Sequence, residues 1–318
     1  MKITSKIFAL YLAVVLVDQG KAQVASIDFQ KEYDALAESF SRFREAVQFA
    51  KSIEYVTEGK MDQNEQILSV DEIKQMQTKS KFHFISKGNQ FWFLMDPFQV
   101  GQEQDFTNET CFDGKHYYRY YPTSGSLIIS TRPEHRNTGE MWDYTALFDP
   151  FAFLVANYRK GDGRPSAFID ATLWGNWLKS AKFESITEVN QKQCLVVACP
   201  GDGRRDRASL KVYFSISDNY YPIRIESFGS DGLLYICYTV TNIGYTALDE
   251  KLRFPFPETA VRECYRVKNS HPVWVNRSTY TSTLQIGRDI SQNTFLVDPI
   301  RATKIYDTDN KVWIKVPK

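Results

Sequence analysis

The chain has 318 residues, with 39 Lys and Arg against 38 Asp and Glu, so its formal net charge is +1. It is 43% hydrophobic and contains only 16 Gly and 12 Pro, which excludes a disordered chain and a collagen-like repeat. The balanced charge excludes a strongly basic nucleic-acid binder. We therefore expect a globular protein with no nucleic-acid partner.

Residues 1–22 have the pattern of a secretory signal peptide. Lys2 and Lys6 supply the positive charge, residues 7–17 are uninterruptedly apolar, and Gly20 and Ala22 occupy positions suited to signal peptidase. The apolar run spans about half of a bilayer's hydrocarbon core, so cleavage is favoured and an uncleaved anchor is the alternative. The pattern predicts an exported protein, periplasmic or otherwise extracytoplasmic, that is soluble after signal cleavage and has peripheral membrane association at most.

After the signal peptide, one long amphipathic helix precedes any strand. From Asp28 onward, apolar residues recur at alternating spacings of three and four through Val47, which is one face of a helix. A shorter helix is predicted near residues 70–77. Because the long helix has a continuous apolar face, it is expected to cover a sheet.

Residues 81–96 predict a β-hairpin that turns at Lys87-Gly88-Asn89, where Gly and Asn tolerate positive φ. One face of the hairpin carries Phe82, Phe84, Phe91, Phe93 and Met95, and the other carries Ile85, Trp92 and Leu94. Both faces are therefore largely apolar. A further strand pair is predicted within residues 111–131, with its turn at 123–125.

Residues 132–180 predict two short helices, and from residue 183 onward one short strand follows another. Residues 247–272 are predicted to be a polar insertion, and a final hairpin turns at 307–310. In the strand at 209–217, Val212, Phe214 and Ile216 share one face, and in the next strand Ile223 and Ile225 do so. The pattern predicts one α+β domain over residues 23–318, in which a curved antiparallel sheet wraps around the N-terminal helix and the inserted helical pair.

The five cysteines carry no metal-site spacing. Cys194 and Cys199 lie five residues apart on one predicted strand and so face opposite sides, which disfavours a bridge between them. The pairing of these two with Cys111, Cys237 and Cys264 is left open, with at most one bridge expected. No cofactor and no metal are expected.

Three segments resemble LolA-like exported proteins, in particular the long planctomycete-type members described as outer-membrane lipoprotein-sorting proteins. These segments are YYPIRIESFGSDGLLYICYTVTN, TYTSTLQIGRDIS and NTFLVDPIRATKIYDTDNKVWIKVPK, at residues 220–242, 279–291 and 293–318. The resemblance implies a half-open antiparallel barrel with helices in its mouth and an apolar interior able to hold acyl chains. It transfers no individual functional residue.

The resemblance favours a carrier or binding protein for a hydrophobic ligand of the cell envelope, such as a lipid or a lipoprotein acyl chain. A protein partner in the envelope is a further expectation. The candidate ligand-binding residues are the apolar positions of the predicted inner face, Phe82, Phe84, Phe91, Phe93, Met95, Val212, Phe214, Ile223 and Ile225. Each of these also suits ordinary core packing, because aromatic stripes usually pack internally.

Two other functions are weighed against the carrier. Tyr117, Tyr118, Tyr120 and Tyr121 lie on one predicted strand, and their rings suit contacts with polysaccharide or protein in a structural binding module. An enzyme is not expected, because the GxSxG and HExxH motifs are absent. A hydrolase-type site with paired carboxylates stays open, since two acids can meet from anywhere in the chain.

Overall fold

The computed structural model of the protein describes residues 29–75, 79–88, 90–98, 108–131, 150–151, 153–154, 171–204, 207–248, 250 and 252–316. The predicted signal peptide and the first helix of the predicted inserted pair lie wholly or largely outside the described residues. Among the described helices, none is long and apolar enough to cross a membrane.

One open, curved sheet of fifteen strands dominates the structure, in the order β15-β14-β6-β5-β4-β3-β2-β1-β13-β12-β11-β10-β9-β8-β7. The strands are β1 Ser52–Gln63, β2 Lys79–Lys87, β3 Gln90–Phe98, β4 Asn108–Phe112, β5 Tyr117–Tyr121, β6 Ser126–Ser130, β7 Lys182–Val189, β8 Lys192–Arg204, β9 Arg207–Ser215, β10 Tyr221–Phe228, β11 Leu234–Ala247, β12 Arg253–Lys268, β13 His271–Ile286, β14 Lys304–Asp307 and β15 Val312–Lys315.

The sheet consists of two meanders, β1–β6 and β7–β13, which join where β1 pairs with β13. This antiparallel seam runs in continuous register from Ile53 opposite Ile286 to Gln63 opposite Asn276. In its buried part, Thr57 and Ser282 hydrogen-bond through their hydroxyls at 2.8 Å. The seam thus makes a single sheet from two halves that are far apart in the chain.

The helices whose bounds the described residues give are α1 Phe29–Phe49, α2 Val70–Gln75 and α3 Ala171–Ser180. The predicted long helix and the short helix near residue 70 are both confirmed. Helices α1 and α3 pack on the concave face, where the Phe40 ring stacks on Trp174 at 4.9 Å and Trp174 stacks on Trp177 at 4.7 Å. The fold is therefore the predicted α+β class, with an antiparallel sheet wrapped around helices.

The predicted hairpin at 81–96 is confirmed with its faces. Phe84 lies opposite Phe93, and Ile85 lies opposite Trp92. Gly88 takes a φ of 60°, as the predicted turn requires. The two phenylalanines point to the concave side, where they join the main core.

The prediction of a polar insertion at residues 247–272 is wrong. Most of this segment forms the long strand β12 in the middle of the sheet. Phe254, Phe256 and Ala260 face the core and are buried. In the sequence, two prolines and many outward-facing charged side chains obscure the alternation of buried and exposed residues along this strand. The segment is thus part of the sheet itself.

The C-terminal residues 287–303 cross the convex face and lead to β14, which pairs in parallel with β6. Arg288 forms an ion pair of 2.6 Å with Glu54, and Arg301 forms one of 2.8 Å with Glu109. Phe295 is fully buried in a small apolar cluster on this side. The sequence predicted an antiparallel sheet throughout, so the parallel β14 is a departure.

Each of the five cysteines is a free thiol. Burial raises the pKa of Cys199 to about 12 and also raises the pKa of Cys111, Cys194 and Cys237. These thiols therefore remain protonated at neutral pH and are poor nucleophiles.

A pair of glycine variants tests the packing at the seam. A Cβ on Gly59 would lie 2.7 Å from the Tyr280 ring and 2.5 Å from Ser80 Oγ, whereas a Cβ on Gly175 in α3 would meet nothing within 4 Å. We expect Gly59→Ala to lower the free energy of unfolding by about 1–3 kcal/mol. Gly175→Ala should raise it by up to about 1 kcal/mol, because alanine favours a helix interior.

Urea denaturation of both variants and the wild type measures these changes. A Gly59→Ala variant as stable as the wild type would contradict the close approach of Tyr280 to β1.

Candidate ligand-binding site

The predicted cavity residues lie in the main core of the concave face. Phe82, Phe84, Phe91 and Phe93 are 2–6% exposed, and Val212, Phe214, Ile223 and Ile225 are at most 2% exposed. Met95 lies opposite Phe82 in the β2–β3 pairing. The other eight residues share the main core, to which Phe40 of α1 and Trp174 and Trp177 of α3 also belong.

Several of these residues contact other side chains of the protein. The Trp177 ring of α3 meets Phe214 edge to face at 6.2 Å, and within the set Phe82 stacks on Phe93 at 6.4 Å. Whether any of these residues binds a ligand stays a prediction.

An open cleft of about 670 Å³ lies at one end of the sheet, beside the C-terminal half of α1. Its lining comes from α1, the β9–β10 turn and the β11–β12 connection, together with Phe151. The lining residues are Ser39, Arg42, Phe43, Glu45, Phe49, Phe151, Asp218, Asn219, Tyr221, Tyr245, Leu252, Arg253 and Pro255. The nine residues predicted from the sequence are not among them.

The floor of the cleft is aromatic. Phe43, Phe151 and Tyr221 are each less than 5% exposed. Phe43 lies 5.0 Å from the Phe151 ring and 5.3 Å from the Phe254 ring, so the floor is continuous with the main core. A ligand in the cleft would therefore contact a rigid apolar surface.

The mouth of the cleft exposes two large apolar side chains. Phe49, the last residue of α1, is 51% exposed, and Tyr245 on β11 is 44% exposed. Single exposed apolar residues are ordinary on a protein surface. Here both line one cleft above a buried aromatic floor, which is the arrangement of a small-molecule binding pocket.

Asp218 fixes the polar side of the cleft through three side-chain contacts. It accepts hydrogen bonds from Lys192 Nζ at 2.8 Å, Ser215 Oγ at 2.5 Å and Tyr245 Oη at 3.0 Å. Asn219 follows with a φ of 54°, in the left-handed region that asparagine tolerates. The tight turn thereby holds the carboxylate in place and anchors Tyr245 at the mouth.

Arginines and a glutamate complete the rim. Arg42 pairs with Glu38 on α1, four residues earlier, and is more than half exposed. Arg253 begins β12 on the other side of the cleft, and Glu45 lies on α1. The rim thus presents charges of both signs around an apolar floor, which suits an amphiphile with an apolar chain and a polar end.

The tyrosine-rich strand β5 is engaged within the protein. Tyr118 Oη donates to Asp113 Oδ2 at 2.8 Å, and Tyr120 Oη donates to the Arg301 carbonyl at 2.9 Å. The Tyr117 ring stacks on Phe112 at 4.3 Å. Burial and the bond to Asp113 raise the pKa of Tyr118 to about 12. These contacts support a structural role for β5.

Among the residues that the structure describes, no group of three or more His, Cys, Asp or Glu side chains could hold a metal ion.

Sequence reasoning identified the apolar face of α1 but missed the cleft. Phe43 belongs to the predicted helical stripe, while Phe49 falls after the end of that stripe at Val47. An aromatic residue just past the end of an amphipathic pattern was the available signal. The other walls come from residues about 170 and 200 positions later, which no local pattern connects to α1.

The hydrogen bonds to Asp218 make the stability of the protein depend on pH. Burial raises the pKa of Asp218, but the bonds from Lys192, Ser215 and Tyr245 outweigh it, so the pKa is lowered overall. Stability from a carboxylate with a lowered pKa is fully present above its unfolded value of about 3.9 and is lost as the pH falls through its folded value. We expect Asp218→Asn to cost on the order of 1–3 kcal/mol at pH 7.

Urea denaturation of the wild type and Asp218→Asn from pH 7 down to pH 3 measures the effect, and the difference should shrink below about pH 4. Tyr245→Phe, which removes one donor of the three, should cost less. A difference between wild type and Asp218→Asn that stays constant with pH would contradict the assignment.

No protein-family model and no curated protein sequence matches the chain. Solved structures match it at low sequence identity. A LolA superfamily protein from Nitrosomonas europaea matches with a TM-score of 0.46 and 13% identity, over 82% of this chain and 96% of its own. A candidate outer membrane lipoprotein-sorting protein domain from Vibrio parahaemolyticus has a TM-score of 0.46 and 11% identity, over 81% of this chain and 97% of its own.

A DUF1329 family protein from Desulfovibrio piger matches with a TM-score of 0.45 and 8% identity, over 81% of this chain and 96% of its own.

Proposed function

We propose that the protein is a non-enzymatic carrier or binding protein for an amphiphile of the cell envelope, whose acyl chain lies in the cleft beside α1. The ligand class is a lipid or the lipid-modified end of a lipoprotein. The observation that carries the proposal is the open cleft of about 670 Å³ with a buried aromatic floor and a charged rim.

The size and lining of the cleft fit such a ligand. Ligand pockets generally enclose about 300–1,000 Å³ and combine an apolar surface with a few polar groups. Phe43, Phe151 and Tyr221 provide the apolar surface, while Arg42 and Arg253 are placed to meet an anionic head group. An apolar chain would also cover Phe49 and Tyr245, which are otherwise exposed to water.

The energetics permit stable binding. A sixteen-carbon chain that is fully buried contributes about 12 kcal/mol, at ~0.8 kcal/mol per methylene. An association cost of at least about 4 kcal/mol leaves at most about 8 kcal/mol, which corresponds to a micromolar dissociation constant at best. A chain buried only in part would bind more weakly, so the polar rim would decide between ligands.

Binding without catalysis is part of the proposal. The raised pKa values of Cys111, Cys194, Cys199 and Cys237 keep these thiols protonated. In the cleft, Asp218 is held as an ionised acceptor by three donors, so it is not poised as a proton donor at neutral pH. The signal-peptide pattern of residues 1–22 supports an extracytoplasmic location, where envelope lipids are found.

Two measurements test the proposal. The first is mass spectrometry of an organic extract of the protein, expressed to its native compartment and purified without detergent. The second is titration with a dansylated fatty acid, followed by fluorescence. We expect co-purified lipid and saturable binding, both lost in Phe49→Asp, because a carboxylate at the mouth would oppose entry of the chain.

Ile186→Asp is the matched control, since Ile186 is 46% exposed but lies on β7, away from the cleft. Phe93→Asp reports on the predicted interior cavity, with circular dichroism to verify the fold. Binding unchanged in Phe49→Asp but lost in a folded Phe93→Asp would move the site into the concave interior. A clean extract with no fatty-acid uptake would overturn the carrier, and saccharide binding would then be tested at β5.

A further inference from the structure

The two edges of the sheet differ in a way that the proposed cleft does not explain. Edge strand β7 exposes Lys182, Glu184 and Glu188. Charged side chains of this kind protect a sheet edge from pairing with other chains. Edge strand β15 carries one charged side chain, Lys315, and three consecutive exposed apolar residues: Val312, Trp313 and Ile314 are 45%, 56% and 50% exposed.

Among the described strands, β15 pairs with β14 alone, so its outer backbone groups have no partner strand there. Val316 N–H donates to the Thr303 carbonyl at 3.2 Å, and Ile314 lies opposite Ile305 in the same register. Because inward and outward residues alternate along an antiparallel strand, Val312 and Ile314 turn their backbone groups toward β14. Trp313 and Lys315 therefore turn theirs outward, where a sixteenth strand would pair.

The two faces of the β14–β15 hairpin have different chemistry. On one face, Trp313 packs against Tyr306 at 4.9 Å, and Lys304 Nζ lies 5.1 Å from the Trp313 ring. Lys315 lies directly opposite Lys304 on the same face. On the other face, Ile314 continues the apolar surface of Ile305. The edge is thus aromatic and cationic on one face and apolar on the other.

The β14–β15 hairpin carries three lysines and two aspartates. Within the described part of the chain, no ion pair holds Lys304, Lys311 or Lys315. Asp307 and Asp309 offset part of the positive charge, but they lie at the turn end of the hairpin, whereas Lys304 and Lys315 are paired at its other end. Asp307 accepts from the backbone N–H groups of Asp309 and Asn310, and Asp309 accepts from Thr131.

We propose that β15 is a docking edge for an extended, acidic segment of another protein, which adds as a sixteenth strand. Acidic residues of the segment would lie beside Lys315, with Lys304 one strand further away on the same face, and its apolar residues would cover Val312 and Ile314. Main-chain hydrogen bonds supply affinity in such strand addition, and alternate side chains supply specificity. Pairing with a second copy is disfavoured, because two β15 strands would bring their lysines together on one face.

The test uses two labelled nine-residue probe peptides, one alternating glutamate with valine and one alternating lysine with valine. Fluorescence anisotropy with the full-length protein should show binding of the glutamate peptide. The lysine peptide should bind at least about tenfold more weakly than the glutamate peptide. The double variant Lys304→Glu/Lys315→Glu should reverse this preference. Binding should fall with added salt.

Lys315→Pro removes an outward N–H while leaving the N–H groups of Val312, Ile314 and Val316 for β14, so it should abolish binding of the glutamate peptide. Ile186→Asp on the opposite edge should leave binding unchanged. Equal affinity for both peptides, no binding of either, or full binding by a folded Lys315→Pro variant would overturn the proposal. A dimer in light scattering that Lys315→Pro dissociates would assign the edge to a second copy and would overturn it too.

Discussion

The pairing of β1 with β13 is the constraint on which the rest of the structure depends. Each meander alone is a series of local hairpins, and the seam is the place where they become one sheet. A slip of one residue there would turn every side chain of β1 to the opposite face. The buried Thr57–Ser282 hydrogen bond and the fit of Tyr280 over Gly59 both depend on the observed register.

The seam also explains where the cleft lies. Helix α1 directly precedes β1 in the chain, yet its Phe43 packs on Phe254 of β12, in the other meander. This is possible because β1 lies next to β13, and β13 next to β12. The end of α1 consequently reaches the β9–β10 turn and the start of β12, and the cleft is the space left between them. Helix α1 thus contributes Phe43 to the core and the floor of the cleft, and Phe49 to its mouth.

The sequence predicted those features that local periodicity encodes. The spacing of apolar residues located α1, and strict alternation located both faces of the β2–β3 hairpin. Strand β12 was not predicted, because Pro255 and Pro257 interrupt the alternation of buried and exposed residues that its buried phenylalanines otherwise follow. Prolines argue against a central strand in general, and here Pro257 lies beside a register shift between β11 and β12.

The cleft and the parallel pairing of β14 were not predicted from the sequence for another reason. Both depend on contacts between segments that are distant in the chain. Alternation shows that Phe82 and Phe214 each lie on an apolar face, but it does not show whether helices fill the space before that face. In this fold, α1 and α3 bring Phe40, Trp174 and Trp177 into it. The open space lies at the end of α1, where the periodic pattern has already ended.

The parallel pairing of β14 with β6 has a consequence for how the chain acquires its structure. Leu127 of β6 pairs with Ile305, which lies far along the chain, and in the seam Ile53 likewise pairs with Ile286. Contacts between such distant residues slow folding, because a long loop must close before they form. During synthesis from the N-terminus, β6 therefore lacks its neighbour β14 until residues 304–307 have been made. Until then, the backbone groups on that side of β6 are open to pairing with another strand.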